Sequence, residues 1–169
     1  MLNKQITSVI ATRFGKLLVT ESNAGIVLLK FLDQNDQETR AELVLGKFAE
    51  EAKRCINGLD WSPPQNPPIV LQGTDFQTAV WEELCRIPMG STVTYTELAE
   101  RIGKPTAARA VANACGRNPI CLIVPCHRVV GSNGNLGGYS CPLGTEKKVE
   151  LLAAEKEALH VKTKTFLHV

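Results

Sequence analysis

The sequence predicts an α+β protein: a small N-terminal antiparallel sheet with a helix, joined to a mainly helical C-terminal half that contains a helix-turn-helix. Three observations predict it. Short apolar and β-branched runs, separated by turn residues, fill the first thirty residues. A cluster of four prolines in six residues, Pro63 to Pro68, then interrupts the chain. Beyond it, helix-capping residues alternate with apolar positions at helical spacing.

The elements follow in order. Ile6–Ala11 and Lys16–Glu21 flank Thr12-Arg13-Phe14-Gly15, a hairpin signal with glycine in the turn. After the turn Ser22-Asn23-Ala24, the run Gly25–Leu32 has the length of a strand. Leu43, Phe48, Ala52, Cys55 and Ile56 predict a helix over roughly Thr39–Ile56, closed by Asn57-Gly58, which tolerate positive φ. Asp60–Pro68 reads as a linker, dividing the chain into domains 1–68 and 69–169. Thr74 or Asp75 can cap a helix with the stripe Phe76, Val80, Leu84 and Ile87, stopped by Pro88 and Gly90. Thr94-Tyr95-Thr96-Glu97 is a capping box for a helix running to Ile102, ended by Gly103. Pro105 suits the first turn of the next helix, Thr106–Cys115, which Gly116 ends. The pair makes the helix-turn-helix. A last helix, Thr145–Val161, turns Val149, Leu152, Ala153 and Leu159 inward.

Composition narrows the class. The 169 residues are 44% hydrophobic and 21% charged, as in a globular protein, and no apolar run is long enough to span a membrane. The start shows no secretory leader, and none of the six cysteines forms a CxxC pair, so reduced thiols and an intracellular setting are expected. The net charge of +2 is uneven. Residues 101–145 hold Arg101, Lys104, Arg109, Arg117 and Arg128 and no Asp or Glu, a stretch able to face a polyanion. The Thr106–Cys115 helix is rich in alanine around Arg109. Small side chains allow close approach to a narrow groove, with Arg109 as probe; on its own the same pattern fits a packed core helix better.

The segment most specific for chemistry is Ile120–Gly131. A buried apolar run delivers Cys126 and His127 beside a glycine-rich loop. The thiolate is the reactive form of cysteine, and His127 or Arg128 could favour it. Adjacent side chains of an extended chain point apart, so contact between Cys126 and His127 requires a turn or a bridging water. The spacings exclude CxxCH haem attachment and match no recognised zinc site. Cys55, Cys85, Cys115 and Cys121 read as small buried hydrophobes.

Pro125-Cys126-His127-Arg128-Val129-Val130 resembles the active-site signature of the O6-alkylguanine-DNA alkyltransferases. Gly73-Thr74-Asp75-Phe76, Val80-Trp81, Thr94–Ala99, Ala107–Val111, Asn118-Pro119-Ile120 and Gly138-Tyr139 resemble the family in order and spacing, and Phe14–Leu18 does so more loosely. The resemblance implies a ribonuclease H-like N-terminal unit. It implies direct-reversal repair, in which Cys126 takes an alkyl group from guanine O6 in double-stranded DNA and the protein is consumed. The target nucleotide is flipped out of the duplex. The helix-turn-helix would enter the minor groove through Thr106, Ala107, Ala108, Arg109, Ala110, Asn113 and Arg117, with Arg109 filling the vacated place in the stack. Tyr95 would bond the guanine, His127 would accept the thiol proton through water, and Glu155 would orient His127. Asn118 would brace the turn, and Val129, Tyr139 and Ser140 would line the pocket. No cofactor and no metal are implied, since the donor is the DNA; a monomer, cytoplasmic in a bacterium or nuclear in a eukaryote, is expected.

The chain departs from the family pattern in two places. With Cys55 as the sole cysteine and no histidine in the first half, no N-terminal zinc site can form. The stretch Ser140–Thr145 is two residues longer than the pattern; it is expected to bulge outward, with Thr145 capping the last helix and Cys141 at the pocket rim, unbonded to Cys126. Glu150 and Glu157 share the helix with Glu155. Two other functions remain to be separated: an alkyltransferase-like protein that binds the lesion without repairing it, and a helix-turn-helix regulator with structural cysteines.

Overall fold

The computed structural model describes residues 5–33, 45–59, 67–136 and 144–166. Strands β1 (Ile6–Thr12), β2 (Gly15–Ser22) and β3 (Gly25–Phe31) form an antiparallel sheet in that order. Gly15 takes φ 123°, and the Thr12 hydroxyl bonds both Phe14 N–H and Gly15 carbonyl, closing the first hairpin. Ile10, Leu17, Val19, Ile26, Leu29 and Phe31 are buried and form the sheet's contribution to the core.

Helix α1 (Lys47–Gly58) packs on the sheet through Ala49, Ala52 and Ile56. It differs from expectation at both ends. Gly46 is extended and caps the helix without a side-chain bond, so α1 starts well after Thr39; residues 34–44 lie outside the described part. Its orphan amides are served from the sheet instead. The Glu21 carboxylate on β2 accepts Phe48 N–H and Ala49 N–H, and Ser8 Oγ accepts Gly46 N–H. A Cβ on Gly46 would collide with that carboxylate. At the other end, Gly58 stays helical and Leu59 takes the left-handed conformation, φ 49°. Its N–H returns to the carbonyls of Cys55 and Ile56, and its side chain is buried, which compensates an unusual conformation for leucine.

The outer edge of β3 would offer unpaired backbone groups. Two later segments cover it. Ile26 N–H donates to Pro68 carbonyl and Val70 N–H to Ile26 carbonyl; further along, Leu29 N–H donates to Pro119 carbonyl and Cys121 N–H to Leu29 carbonyl. The proline-rich stretch therefore ends as a strand-like partner at the sheet edge, where a residue without an N–H is tolerated.

The helical half follows. Helix α2 (Asp75–Cys85) takes Thr74, one of the two expected caps, and Gln77 reaches back to complete a capping box that the sequence reading did not name. Strand β4 (Val93–Thr94) runs parallel to β5 (Val129–Val130) and leads into α3 (Tyr95–Arg101), capped reciprocally by Thr94 and Glu97. Helix α4 (Ala108–Gly116) begins two residues later than expected. Pro105 and Thr106 lie in a turn closed by Ala107 N–H to Lys104 carbonyl, and Pro105 holds its second position, where its fixed φ fits. Gly103, at φ 69°, ends the preceding turn. Trp81 on α2 donates to the Ala114 carbonyl, tying α2 to α4.

Helix α5 (Gly144–Phe166) starts before Thr145, which therefore lies inside its first turn and is not its cap. Its inward face also differs from expectation. Val149 and Leu159 are exposed to 50% and 39%, and Ala153 faces outward; Lys148, Leu151 and Glu155 are buried in their place. Periodicity found the helix but chose the wrong stripe, because two of the inward residues are charged. Residues 137–143, with the Ser140–Leu143 part of the long loop, Tyr139 and Cys141, lie outside the described part. One continuous hydrophobic core runs from Ile10 on the sheet through Trp81 and Val111 to Leu151 on α5. Among the described residues, no helix is long and apolar enough to cross a membrane.

Candidate active site

The chain reaches the site through Pro119–Val124. Ile120, Leu122, Ile123 and Val124 are fully buried, and Leu122 is left-handed, φ 71°, where the segment turns. Cys126–Arg128 form a single 3₁₀ turn preceded by Pro125. A turn, not an extended strand, thus stands where the Cys-His pair needed one. The Cys126 thiol is 7% exposed and in no disulfide with another described cysteine.

Asn118 ties this turn to the end of α4. Its Nδ2 donates to Val124 carbonyl at 2.7 Å and to Cys126 Sγ at 3.2 Å, while its Oδ1 accepts Ile120 N–H at 3.0 Å. A donor aimed at the sulfur favours the thiolate.

Behind the thiol lies a buried charge network. His127 Nε2 is 2.8 Å from Glu155 Oε1. Arg128 binds the same carboxylate through Nε and one terminal nitrogen and donates its other terminal nitrogen to Ile87 carbonyl. Gly90 N–H completes the set at Glu155 Oε2, 2.9 Å. Burial alone would raise the Glu155 carboxyl, but the bonds from His127 and Arg128 outweigh it and hold it near 2. Burial likewise lowers His127, and although Glu155 pulls the other way, Arg128 and Lys148 oppose protonation. At neutral pH the imidazole is therefore neutral beside an ionised carboxylate. Nε2 must carry the hydrogen to bond Glu155, which leaves the lone pair on Nδ1. Nδ1 is buried and has no hydrogen-bond partner among the described residues.

Tyr95 begins α3 and is half-buried near the same sulfur. Burial first, then the neighbouring thiols of Cys115 and Cys126, push its phenol up to about 12, so it remains a donor. It shares a cleft of about 480 Å³ with Ala112, Asn113, Gly116 and Arg117. Arg109, Ala110, Asn113 and Arg117 are exposed on or just after α4, Thr106 is exposed in the preceding turn, and Ala107 and Ala108 are half-buried. Arg101 and Lys104 are exposed as well, whereas Arg128 is 3% exposed and spent on Glu155. Four of the five cations of that stretch are thus exposed, Arg101 with the Glu83 carboxylate 3.8 Å away. Glu150, the other acid considered, pairs with Lys147, and Glu157 is exposed. Tyr139 and Ser140 lie outside the described residues. Among the described residues, no group of three metal-ligating side chains stands together.

Sequence reasoning missed Lys148. It is completely buried and donates to the carbonyls of Val129 and Leu136. The signal was available only as a charged residue seven positions before Glu155, on the same face of α5.

The chain is similar to known proteins over most of its length. Residues 75–157 match the family model described as 6-O-methylguanine DNA methyltransferase, DNA binding domain. A methylated-DNA–protein-cysteine methyltransferase of Methanosarcina barkeri is 41% identical over 155 residues, covering 89% of this chain and 97% of that protein. The regulatory protein ada of Salmonella typhimurium is 38% identical over 155 residues, 85% of this chain, but this chain spans only 43% of its length. The crystal structure of Mycobacterium tuberculosis OGT in complex with DNA superposes with a TM-score of 0.75 at 35% identity, covering 90% of this chain and 93% of that one. With that breadth of match and a cysteine at the signature position, the chain belongs to the family of methylated-DNA–protein-cysteine methyltransferases.

Proposed function

We propose that this protein repairs DNA by direct reversal, moving a methyl or larger alkyl group from guanine O6 to Cys126 and inactivating itself. The observation that carries the reading is the Cys126 thiol, held by Asn118 and backed by neutral His127 on the ionised Glu155 carboxylate. The thiol proton passes through a water to His127 Nδ1, and the sulfur lone pair attacks the alkyl carbon in line. The carbon–O6 bond breaks, and the electron pair leaves on the guanine, which gains a hydrogen bond from the Tyr95 phenol and the Ser140 backbone. The product thioether has no leaving group comparable to guanine, so one molecule serves one lesion. No cofactor takes part, since the alkyl donor is the DNA.

Helices α3 and α4 would act as a helix-turn-helix set into the minor groove, with the small side chains Ala107, Ala108 and Ala110 allowing close approach. Arg109 would occupy the stack while the damaged nucleotide is flipped. Thr106, Asn113 and Arg117 border the same surface, and Val129 and Tyr139 would line the base pocket. Residues 69–169 would carry the chemistry as a monomer inside the cell, and residues 1–68, a ribonuclease H-like unit, would brace them.

Incubation with duplex DNA containing O6-methylguanine tests the reading by intact-protein mass. A gain of one methyl group mapped to Cys126 is expected, and Cys126→Ala should gain none while still binding duplex. A wild-type protein that holds the lesion with no mass gain would be a binding module instead.

A further inference from the structure

Helix α4 carries only two side chains able to form strong hydrogen bonds, Arg109 and Asn113; the rest are Ala, Val, Cys or Gly. The two stand four positions apart, so they share a face of the helix, and both are exposed. Val111, Ala114 and Cys115 hold the opposite face in the core. Their chemistry differs. A guanidinium only donates, whereas the Asn113 carboxamide donates through Nδ2 and accepts through Oδ1. Within the described residues the Asn113 side chain makes no hydrogen bond. It lines the cleft of about 480 Å³ that it shares with Tyr95, Ala112, Gly116 and Arg117.

Position decides what this amide would meet. Arg109 is the residue assigned above to the vacated place in the stack, and Tyr95 the one assigned to the flipped guanine. Asn113 stands on the same cleft as Tyr95. It lies one turn beyond Arg109, about 6 Å of helical rise. Stacked bases repeat every ~3.4 Å, so the pair beside the lesion comes within its reach. In the minor groove every base pair offers acceptors, but only a G·C pair adds a donor, the guanine 2-amino group. Arg109 and Arg117, as pure donors, are satisfied by any pair. The carboxamide is matched on both sides by guanine: Oδ1 accepts from the 2-amino group while Nδ2 donates to N3. We propose that Asn113 is a specificity-determining residue that reads the base pair next to the lesion from the minor groove and favours a flanking G·C pair. The inference rests on the minor-groove reading of α3 and α4 and adds a sequence preference to it.

The test uses duplexes with one O6-methylguanine and, as its neighbour on either side, guanine, inosine or 7-deazaguanine opposite cytosine. Inosine lacks the 2-amino group of the minor groove, and 7-deazaguanine lacks N7 of the major groove. Duplex affinity and single-turnover transfer are measured for the full chain and for Asn113→Ala, an exposed change that favours the helix. Inosine also weakens the duplex itself, so the quantity compared is the guanine-to-inosine ratio in the two proteins. On one side of the lesion the wild-type affinity ratio should exceed that of Asn113→Ala by about three- to tenfold, with 7-deazaguanine behaving as guanine. Equal ratios on both sides would overturn the proposal. So would a loss in Asn113→Ala that is uniform across the probes, which makes Asn113 a phosphate contact, or a preference that follows 7-deazaguanine, which puts α4 in the major groove. Transfer to Cys126 without the ratio leaves repair standing and removes the role of Asn113. The ratio in affinity without transfer does the reverse.

Discussion

His127 owes its state to burial and two neighbours acting against one another. Burial opposes its charge, Glu155 favours it, and Arg128 neutralises Glu155 before that attraction can prevail. The consequence for stability has a definite sign. Both His127 and Glu155 bind their protons less readily in the folded chain than in the ordinary state, where they titrate at 6.5 and 4.5. In the windows below those values the unfolded chain binds more protons, so stability rises with pH. Wild-type protein should lose stability as pH falls below about 6.5, and again between about 4.5 and 2, where the Glu155 carboxylate is protonated. Glu155→Gln should lose the lower of these limbs. Near neutral pH it should also be weaker by about 3–5 kcal/mol, because Arg128 is left buried without its anion. Urea denaturation across pH 2–8 measures both effects, and an undiminished acid limb in the variant would assign it to other carboxylates.

At the scale of elements, α4 is short, exposed on one side and anchored on the other by Val111, Ala114 and Cys115. A probe at its second residue, Arg109, is held by a helix whose inner face cannot shift without disturbing Trp81. Arg109→Ala should therefore slow repair of a paired lesion much more than reaction with free O6-alkylguanine base, since only the duplex must be unstacked, at a few kcal/mol. Equal losses in single-turnover rates on the two substrates would remove the finger role. The elements also show what a sequence carries. The Thr74 cap and the Thr94–Glu97 capping box were legible because both are local. The start of α1 was not, because its first amides are served by Glu21, 27 and 28 residues upstream on another element. The inner face of α5 was not, because Lys148 and Glu155 break the apolar periodicity on which such readings depend. Cys126, His127, Asn118 and Glu155 were legible through motif resemblance, while Lys148 needed the fold to bring it to Val129.

At the scale of the molecule, the two halves are stitched where β3 meets Pro68–Val70 and Pro119–Cys121. The second seam lies one turn of chain from Asn118 and hence from Cys126, so the sheet supports the site through backbone bonds and a shared core. Lys147 adds a third tie, donating to Phe14 carbonyl and lying over the Phe31 ring. Such coupling predicts that damage at the sheet edge is felt in the helices. Gly25 adopts φ 147°, and a Cβ there would stand 2.5 Å from Pro68 carbonyl oxygen, a backbone atom that cannot swing aside. Gly25→Ala should cost about 1–3 kcal/mol or more from strain. In a Trp61→Phe background, the fluorescence of Trp81 reports the helical half, because Trp81 is buried against α4. Its urea midpoint should fall together with the far-UV signal, with an unchanged slope, as for one cooperative unit. Two separated transitions, or a Trp81 midpoint that ignores Gly25→Ala, would mean that the sheet is an appendage and that the seam along β3 does not hold the nucleophile's segment in place.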